Sequence, residues 1–327
     1  MLDLIYTDED FIELGVLQDY AYELTYGDAE NSFDIIFGVT SAPRLDGCLI
    51  YADGTDYGGM VKSKSSSTKD RTVTYHGASW HGVLDAHQIC PPDGKSHLVC
   101  KGDAHDALRS IVESIGLGNL FFVADGQSGI DVDHQFRFVS AYKGIRRMLA
   151  KAKAKLVIQC ECGRLMLSAV PAAIHDSANE SNAEFDLTEC SVNVNHLICL
   201  GRGELEERIR IDLYIDPDGN VGQTQYYYGI HEVAEKYENT NADYDELLES
   251  GTERLLELQE TSSIDMASEI ADDYDIGDYV TCANLESGMS ATAVVATKTV
   301  TVINGIATFS CEVGSGSSSA DEQGETS

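Results

Sequence analysis

From Ile209 to Ile215 the chain alternates apolar and polar residues: Ile209, Ile211, Leu213 and Ile215 are separated by Arg210, Asp212 and Tyr214. A period of two is what a strand with one buried face requires, because successive side chains point to opposite sides of a sheet. Asp216-Pro217-Asp218-Gly219-Asn220 follows. There proline presets φ, glycine admits positive φ, and the Asp and Asn side chains bond nearby backbone, so the run turns. Strand-like VGQTQYYYG comes next, and the whole stretch from Val192 to Tyr237 reads as a β-meander.

Short aromatic and β-branched runs also fill residues 1–101, among them VLQDYAYELTYG, NSFDIIFGV, CLIYADG and TVTYHG, punctuated by Gly, Asp and Asn. This is an N-terminal β domain, in which SKSSSTKD (Ser63 to Asp70) reads as a mobile hairpin tip. The period changes over residues 102–175. Asp103 is a good N-cap for a helix carrying Leu108, Ile111, Val112 and Ile115, with Gly116 and Gly118 as stops. After the strand NLFFVAD, a second helix from about Ser140 has Tyr142, Ile145, Met148, Leu149 and Ala152 on one face and Arg146, Arg147, Lys151 and Lys153 on the other. LVIQCECGRLMLSAV then makes a hairpin, so the spacing predicts an inserted small α+β module.

Residues 176–260 take up a polar connector, the meander and an amphipathic helix. In that helix Asp243 and Glu246 have capping-box spacing, and Tyr244, Leu247, Leu248, Gly251, Leu255 and Leu258 form one stripe. Residues 261–313 form a last β unit with a hairpin at Asn304-Gly305. Residues 314–327, GSGSSSADEQGETS, read as a disordered acidic tail. The expected class is therefore α+β and β-rich.

Length allows more than one core: 327 residues divide naturally into two or three domains. Against 22 Lys and Arg stand 55 Asp and Glu, a net charge of −33 that would repel phosphates and argues against nucleic-acid or anionic-membrane binding. MLDLIYTDEDF has neither a basic region nor an apolar core, so no signal peptide is expected. No apolar run is long enough to span a membrane, so no membrane anchor is expected. Nine cysteines without a secretory signal suggest reduced thiols rather than a disulfide framework.

Candidate chemistry is incomplete wherever it starts. His231-Glu232-Val233-Ala234-Glu235 lacks the second histidine of a zinc helix. Asp216 to Asn220 lacks the later glycine and acid of a calcium loop. Gly77-Ala78-Ser79-Trp80-His81-Gly82 is out of register with a nucleophile elbow, and Cys160-Glu161-Cys162 has no second cysteine pair. Paired acids such as Asp272-Asp273 or Asp8-Glu9-Asp10 carry nothing specific in so acidic a chain. No catalytic, cofactor or metal site is expected, and Trp80 reads as a packing anchor.

An ordered series of motifs resembles the baseplate-hub or tail-associated proteins of siphophages infecting Gram-positive bacteria, the ReqiPepy-type phage tail protein family. It comprises GGMVKSKSSSTKDRTVTYHGASWHGVL with Gly77 and Trp80, then NHLICLGRGEL with Asn195, His196 and Gly201, then R-x-R-x-x-LYID with Arg210 and Tyr214. DGN with Gly219, Q-x-YYYGIHEVAEKYE with Gly229 and Glu232, and DDYDIGDYVTC with Gly277 and Asp278 complete it. The resemblance implies that these are structural positions in two β-barrel-like tail-hub domains. It also implies a non-enzymatic homotrimer at the virion tail tip, made in the bacterial host cytoplasm and partnered by distal tail, tail-tube, tape-measure and receptor-binding proteins. A tail-associated cell-wall hydrolase and the hub of a tail-derived particle are the alternatives.

Overall fold

The computed structural model describes residues 2–28, 30–161, 163–176, 184–189, 193–217, 219–258, 262–267, 274–284 and 289–314. The acidic tail beyond Gly314, most of the connector before the meander, Asp218, Cys162 and Asp272-Asp273 lie outside them. Two compact units form: residues 1–185, 265–281 and 294–313 in one, residues 186–264, 282–293 and 314–327 in the other.

The chain opens with β1 (Ile5–Thr7), β2 (Glu13–Val16), β3 (Tyr20–Gly27), β4 (Ser32–Gly38), β5 (Leu49–Tyr51), β6 (Gly58–Ser67) and β7 (Thr72–Ser79), then α1 (Trp80–Asp85). There follow β8 (Gln88–Ile89), β9 (Leu98–Asp103), α2 (Ala104–Ser114), β10 (Phe121–Val123), β11 (Asp131–Phe136), β12 (Val139–Ser140), α3 (Ala141–Lys151), β13 (Ala154–Glu161) and β14 (Arg164–Pro171). The rest comprises β15 (Ile174–Asp176), β16 (Glu184–Glu189), β17 (His196–Leu200), β18 (Arg210–Ile215), β19 (Val221–Gly222), β20 (Ala234–Glu238), α4 (Tyr244–Glu257), β21 (Ser262–Ala267), β22 (Tyr279–Asn284), β23 (Met289–Ile303) and β24 (Ile306–Gly314).

Alternation builds the main sheet. Tyr22, Leu24 and Tyr26 of β3 and Phe33, Ile35 and Phe37 of β4 point inward, all nearly fully buried, while Glu23, Thr25 and Asp34 face outward. Asn31, at φ 50°, bends the β3–β4 hairpin, and its amide accepts from Gly27 N at 2.9 Å. The eleven-stranded order is β15-β22-β23-β3-β4-β7-β6-β5-β1-β2, with β24 also paired to β23. The order is open: among the described residues no ladder joins β2 to β15.

Helix caps follow the sequence pattern. Asp103 accepts from His105 N at 2.9 Å at the start of α2, Ser140 caps α3, and Asp243 accepts from Asp245 N and Glu246 N at 3.1 Å each at the start of α4. One core gathers the apolar faces of α2 and α3 with Ile89, Cys100, Val132 and Phe136. A second joins Leu49, Tyr51, Trp80 and Leu84 to Phe121, Tyr142, Ile158 and Leu165. The helical segment thus packs into the first unit through shared apolar surface.

Two local expectations are corrected. Ser63 to Ser67 are not a mobile tip: they extend β6 along β7, with Ser65 opposite Thr74 and Ser67 opposite Thr72. Ladder pairing supplies the order that poor hydrophobicity hides. The stretch VGQTQYYYG is strand only at Val221–Gly222, and the second unit's sheet, ordered β19-β18-β17-β20, is no simple meander because β17 and β20 run parallel. A parallel strand on the far edge needs a return connection, and residues 223–233 are used for it.

Gly77 tests the packing of the large sheet. A Cβ there would sit 2.1 Å from Phe33 Cζ and 2.7 Å from the Met60 carbonyl oxygen. Gly77→Ala is expected to cost about 1–3 kcal/mol by overpacking. Phe33→Leu in the same chain should cost less than the sum of the single changes, since it frees part of that space. The fluorescence of Trp80, the sole tryptophan and fully buried in this unit, reads the urea midpoint; strict additivity would show that Phe33 does not set the limit.

Candidate functional site

In the second unit, β17, β18 and the return connection bring together five of the motif residues. Asn195 stands just before β17. Its Nδ2 donates to the His231 carbonyl at 2.7 Å and its Oδ1 accepts from Val233 N at 3.0 Å. The side chain thus acts as an extra length of backbone that fixes the return segment to the sheet. His196, next along, is buried, with Nδ1 2.7 Å from Glu232 Oε1 and Nε2 3.0 Å from Asp212 Oδ1. A carboxylate only accepts, so both bonds exist together when both ring nitrogens carry hydrogen.

Arg210 continues the line, donating to Asp212 through Nε at 2.9 Å and through its terminal nitrogen at 2.7 Å. Burial works to raise the Asp212 carboxyl, but hydrogen bonds from Arg210 and His196 outweigh it and hold the group below its ordinary value. Tyr214 stacks on the His196 ring, centroids 4.4 Å apart and planes at 25°. Direct pairing of His196 with Tyr214 across β17 and β18 dictates that contact. The result is Glu232–His196–Asp212–Arg210, a charged line across three chain segments.

Glycines frame this region. At Gly201 a Cβ would lie 2.9 Å from Leu247 Cδ2 and 3.0 Å from the Ala242 carbonyl oxygen, so the backbone approaches α4 too closely for a side chain. Gly219 (φ 85°) and Gly229 (φ 62°) occupy turns that L side chains rarely adopt.

The remaining motif residues fall in the first unit. Gly277, at φ 94°, turns the chain into β22, and Asp278 beside it is 1% exposed. Asp278 Oδ2 accepts from Lys155 Nζ at 2.8 Å, from Asp275 N at 3.1 Å and from His175 Nε2 at 3.3 Å, while Oδ1 accepts from Ala173 N at 2.8 Å. Lys155 also reaches Asp275 Oδ2 at 2.9 Å, and buried Lys298 stands 3.5 Å from Asp275 Oδ1. Burial tends to raise Asp275, but the Lys155 bond and Lys298 overcome it and lower the group. These partners are what a buried carboxylate needs to stay charged. Trp80 is fully buried at the head of α1, stacked on Phe11 at 6.3 Å, and Gly77 lies three residues earlier on β7.

The incomplete patterns take structural roles. Ser79 caps α1, accepting from Gly82 N at 3.1 Å. Asp216 accepts from Asn220 N at 2.8 Å to close its turn, and His231 ends a short 3-10 turn. Among the described residues no group of three His, Cys, Asp or Glu could hold a metal ion. One constellation escaped the sequence reading: Ser65 Oγ lies 2.9 Å from His76 Nε2, and His76 Nδ1 lies 2.7 Å from Asp34 Oδ1. No local motif signals it, because β6, β7 and β4 supply one residue each and only the register, with Asp34 opposite His76, brings them together. The order is that of nucleophile, base and orienting acid, although His76 and Asp34 are 41% and 47% exposed.

No protein-family model matches the chain, and no curated protein is similar to it in sequence. Solved structures are similar in fold. A 43 kDa tail protein of prophage MuSo2 from Shewanella oneidensis aligns over 95% of this chain and 98% of its own, with TM-score 0.55 and 10% identity. A tail protein from Neisseria meningitidis aligns over 95% of each chain (TM-score 0.52, 12% identity). The prophage tail protein gp18 from Listeria monocytogenes aligns over 95% of this chain and 94% of its own (TM-score 0.51, 14% identity). The chain therefore has the fold of these phage tail proteins.

Two variants probe the networks. Asn195→Ala removes the hydrogen bonds to the His231 carbonyl and from Val233 N–H, each worth about 0.5–1.5 kcal/mol where water can take its place. It should speed hydrogen exchange at residues 231–233 selectively; unchanged protection there would show that the amide does not hold the return segment. Asp56, between β5 and β6, is pushed up to about 6 by burial. The folded state thus keeps a proton that the unfolded chain loses near pH 4, so this contribution is complete below pH 4 and lost as pH rises through 6. Asp56→Asn should flatten that slope and stabilise the fold at pH 7 by on the order of 3 kcal/mol. A urea midpoint at pH 7 no higher than wild type would refute the assignment.

Proposed function

We propose that the chain is a structural hub at the distal end of a siphophage or prophage tail, three copies forming a ring that continues the tail tube. The observation that carries the reading is the end-to-end likeness of fold to three phage tail proteins, spanning 94% or more of each. In this reading the hub regions, residues 1–101 and 261–313, become barrel-like only within the ring, where open edges of the eleven-stranded sheet are covered by neighbours. Residues 102–175 are an inserted module outside the tube wall. The ring joins distal tail, tube and tape-measure proteins above to receptor-binding or penetration components below. Three copies match a sixfold tube through two similar domains each while presenting a threefold axis beyond it. A net charge of −33 per copy suits a conduit through which DNA passes without adhering.

A second reading, a tail-associated hydrolase, is favoured by the Ser65–His76–Asp34 line. It ranks second because these side chains stand in water, where a charge relay loses most of its electrostatic advantage. A cryo-EM reconstruction of the assembled tail tip tests the first reading: three copies around the tube axis are expected, and two, four or six copies, or a place on a peripheral fibre, would refute it. Hydrolysis of p-nitrophenyl acetate that Ser65→Ala abolishes would promote the second.

A further inference from the structure

Charge is sharply segregated along the first unit. Ten Asp or Glu and no Lys or Arg precede Arg44, whereas residues 134–160 contain seven Lys or Arg and no Asp or Glu. Each region also presents exposed apolar surface. At one end of the large sheet, β2 pairs only with β1 among the described residues. Ile12, Leu14 and Val16, around a bulge where β2 slips one residue against β1, are 61%, 52% and 52% exposed. Glu9 and Asp10 stand exposed in the turn that leads to them. In the basic region Phe138 is 67% exposed just ahead of α3. Lys143 and Arg147, one turn apart, both face solvent. None of these four charged side chains has an ion-pair partner among the described residues.

An uncovered edge strand with exposed apolar side chains is a template for association unless something covers it. At a net charge of −33 most faces of two copies repel each other, so a docking face for a second copy must pair opposite charges locally. We propose that the β2 edge of one copy, with Ile12, Leu14 and Val16 flanked by Glu9 and Asp10, docks on the Phe138, Lys143 and Arg147 face of the next copy. The two surfaces differ, so the contact is heterologous, and its repetition about an axis closes a ring. This rests on the ring reading above and names the surfaces that build it.

The test is a charge exchange in the full-length chain, with mass measured by sedimentation across a concentration series near physiological salt. Glu9→Lys with Asp10→Lys should weaken self-association at least about tenfold, and Lys143→Glu with Arg147→Glu should do the same. All four substitutions in one chain should restore it. Leu14→Lys should abolish association without lowering the Trp80 unfolding midpoint, since its side chain faces solvent. Association indifferent to either reversal, a four-fold variant as weak as its parents, or a chain monomeric throughout the series overturns the proposal. Cryo-EM of the tail tip keeps the two ideas apart: a threefold ring that survives both reversals retires this contact alone, and no ring retires the ring reading itself.

Discussion

The ladder between β3 and β23 is the constraint on which the first unit depends. It pairs Tyr22 with Val302 and Gly27 with Thr297, closing nearly the whole chain into one loop. Loop-closure entropy grows only slowly with length, so such a contact is affordable once its ends are well matched. The match is tight: a Cβ on Gly27 would lie 2.0 Å from the Ala296 carbonyl oxygen, and φ there is 118°. Without β23, β3 would expose an edge beside the most aromatic part of the core, where Tyr22, Tyr26 and Phe33 are buried. A contact so distant in sequence also implies that the N-terminal strands await the end of the chain before their sheet is complete.

Charges are handled differently in the two units. In the first, Asp278 is almost wholly buried and made tolerable by Lys155, His175 and two backbone N–H groups. Removing one partner would leave another charge uncompensated in low dielectric, so the cluster specifies how β15, β13 and the turn before β22 meet. In the second, the line from Glu232 to Arg210 is partly solvated, and its work is geometric: it ties the return segment to β17 and β18. Neither cluster presents a nucleophile with a base.

Surface charge is the other constraint on the first unit. The excess of acid is unevenly distributed, with bases concentrated on α3 and its flanks. A uniformly acidic surface would keep copies apart; a segregated one permits a few chosen contacts between them.

Local physics made much of this legible from residues alone. Period-two alternation placed β18 and the β23–β24 hairpin at Asn304-Gly305, aromatic and β-branched runs marked β3 and β4, and Asp103, Ser140 and Asp243 marked helix starts, because these signals depend on neighbours a few positions away. The ordered motifs likewise pointed to a phage tail protein, and the fold agrees with that broad class. Tertiary structure alone decided the rest. Ser63 to Ser67 became strand because β7 offered a ladder, and the tyrosine-rich run lost strand form because β20 had to reach the far edge of β17. Asn195, His196, Tyr214 and Glu232 were visible as separate motif positions, but Asp212 joined them only through the β17–β18 register. The Ser65–His76–Asp34 line and the open ends of the large sheet depend on which strands pair, a choice made by the whole core and written in no short stretch of chain.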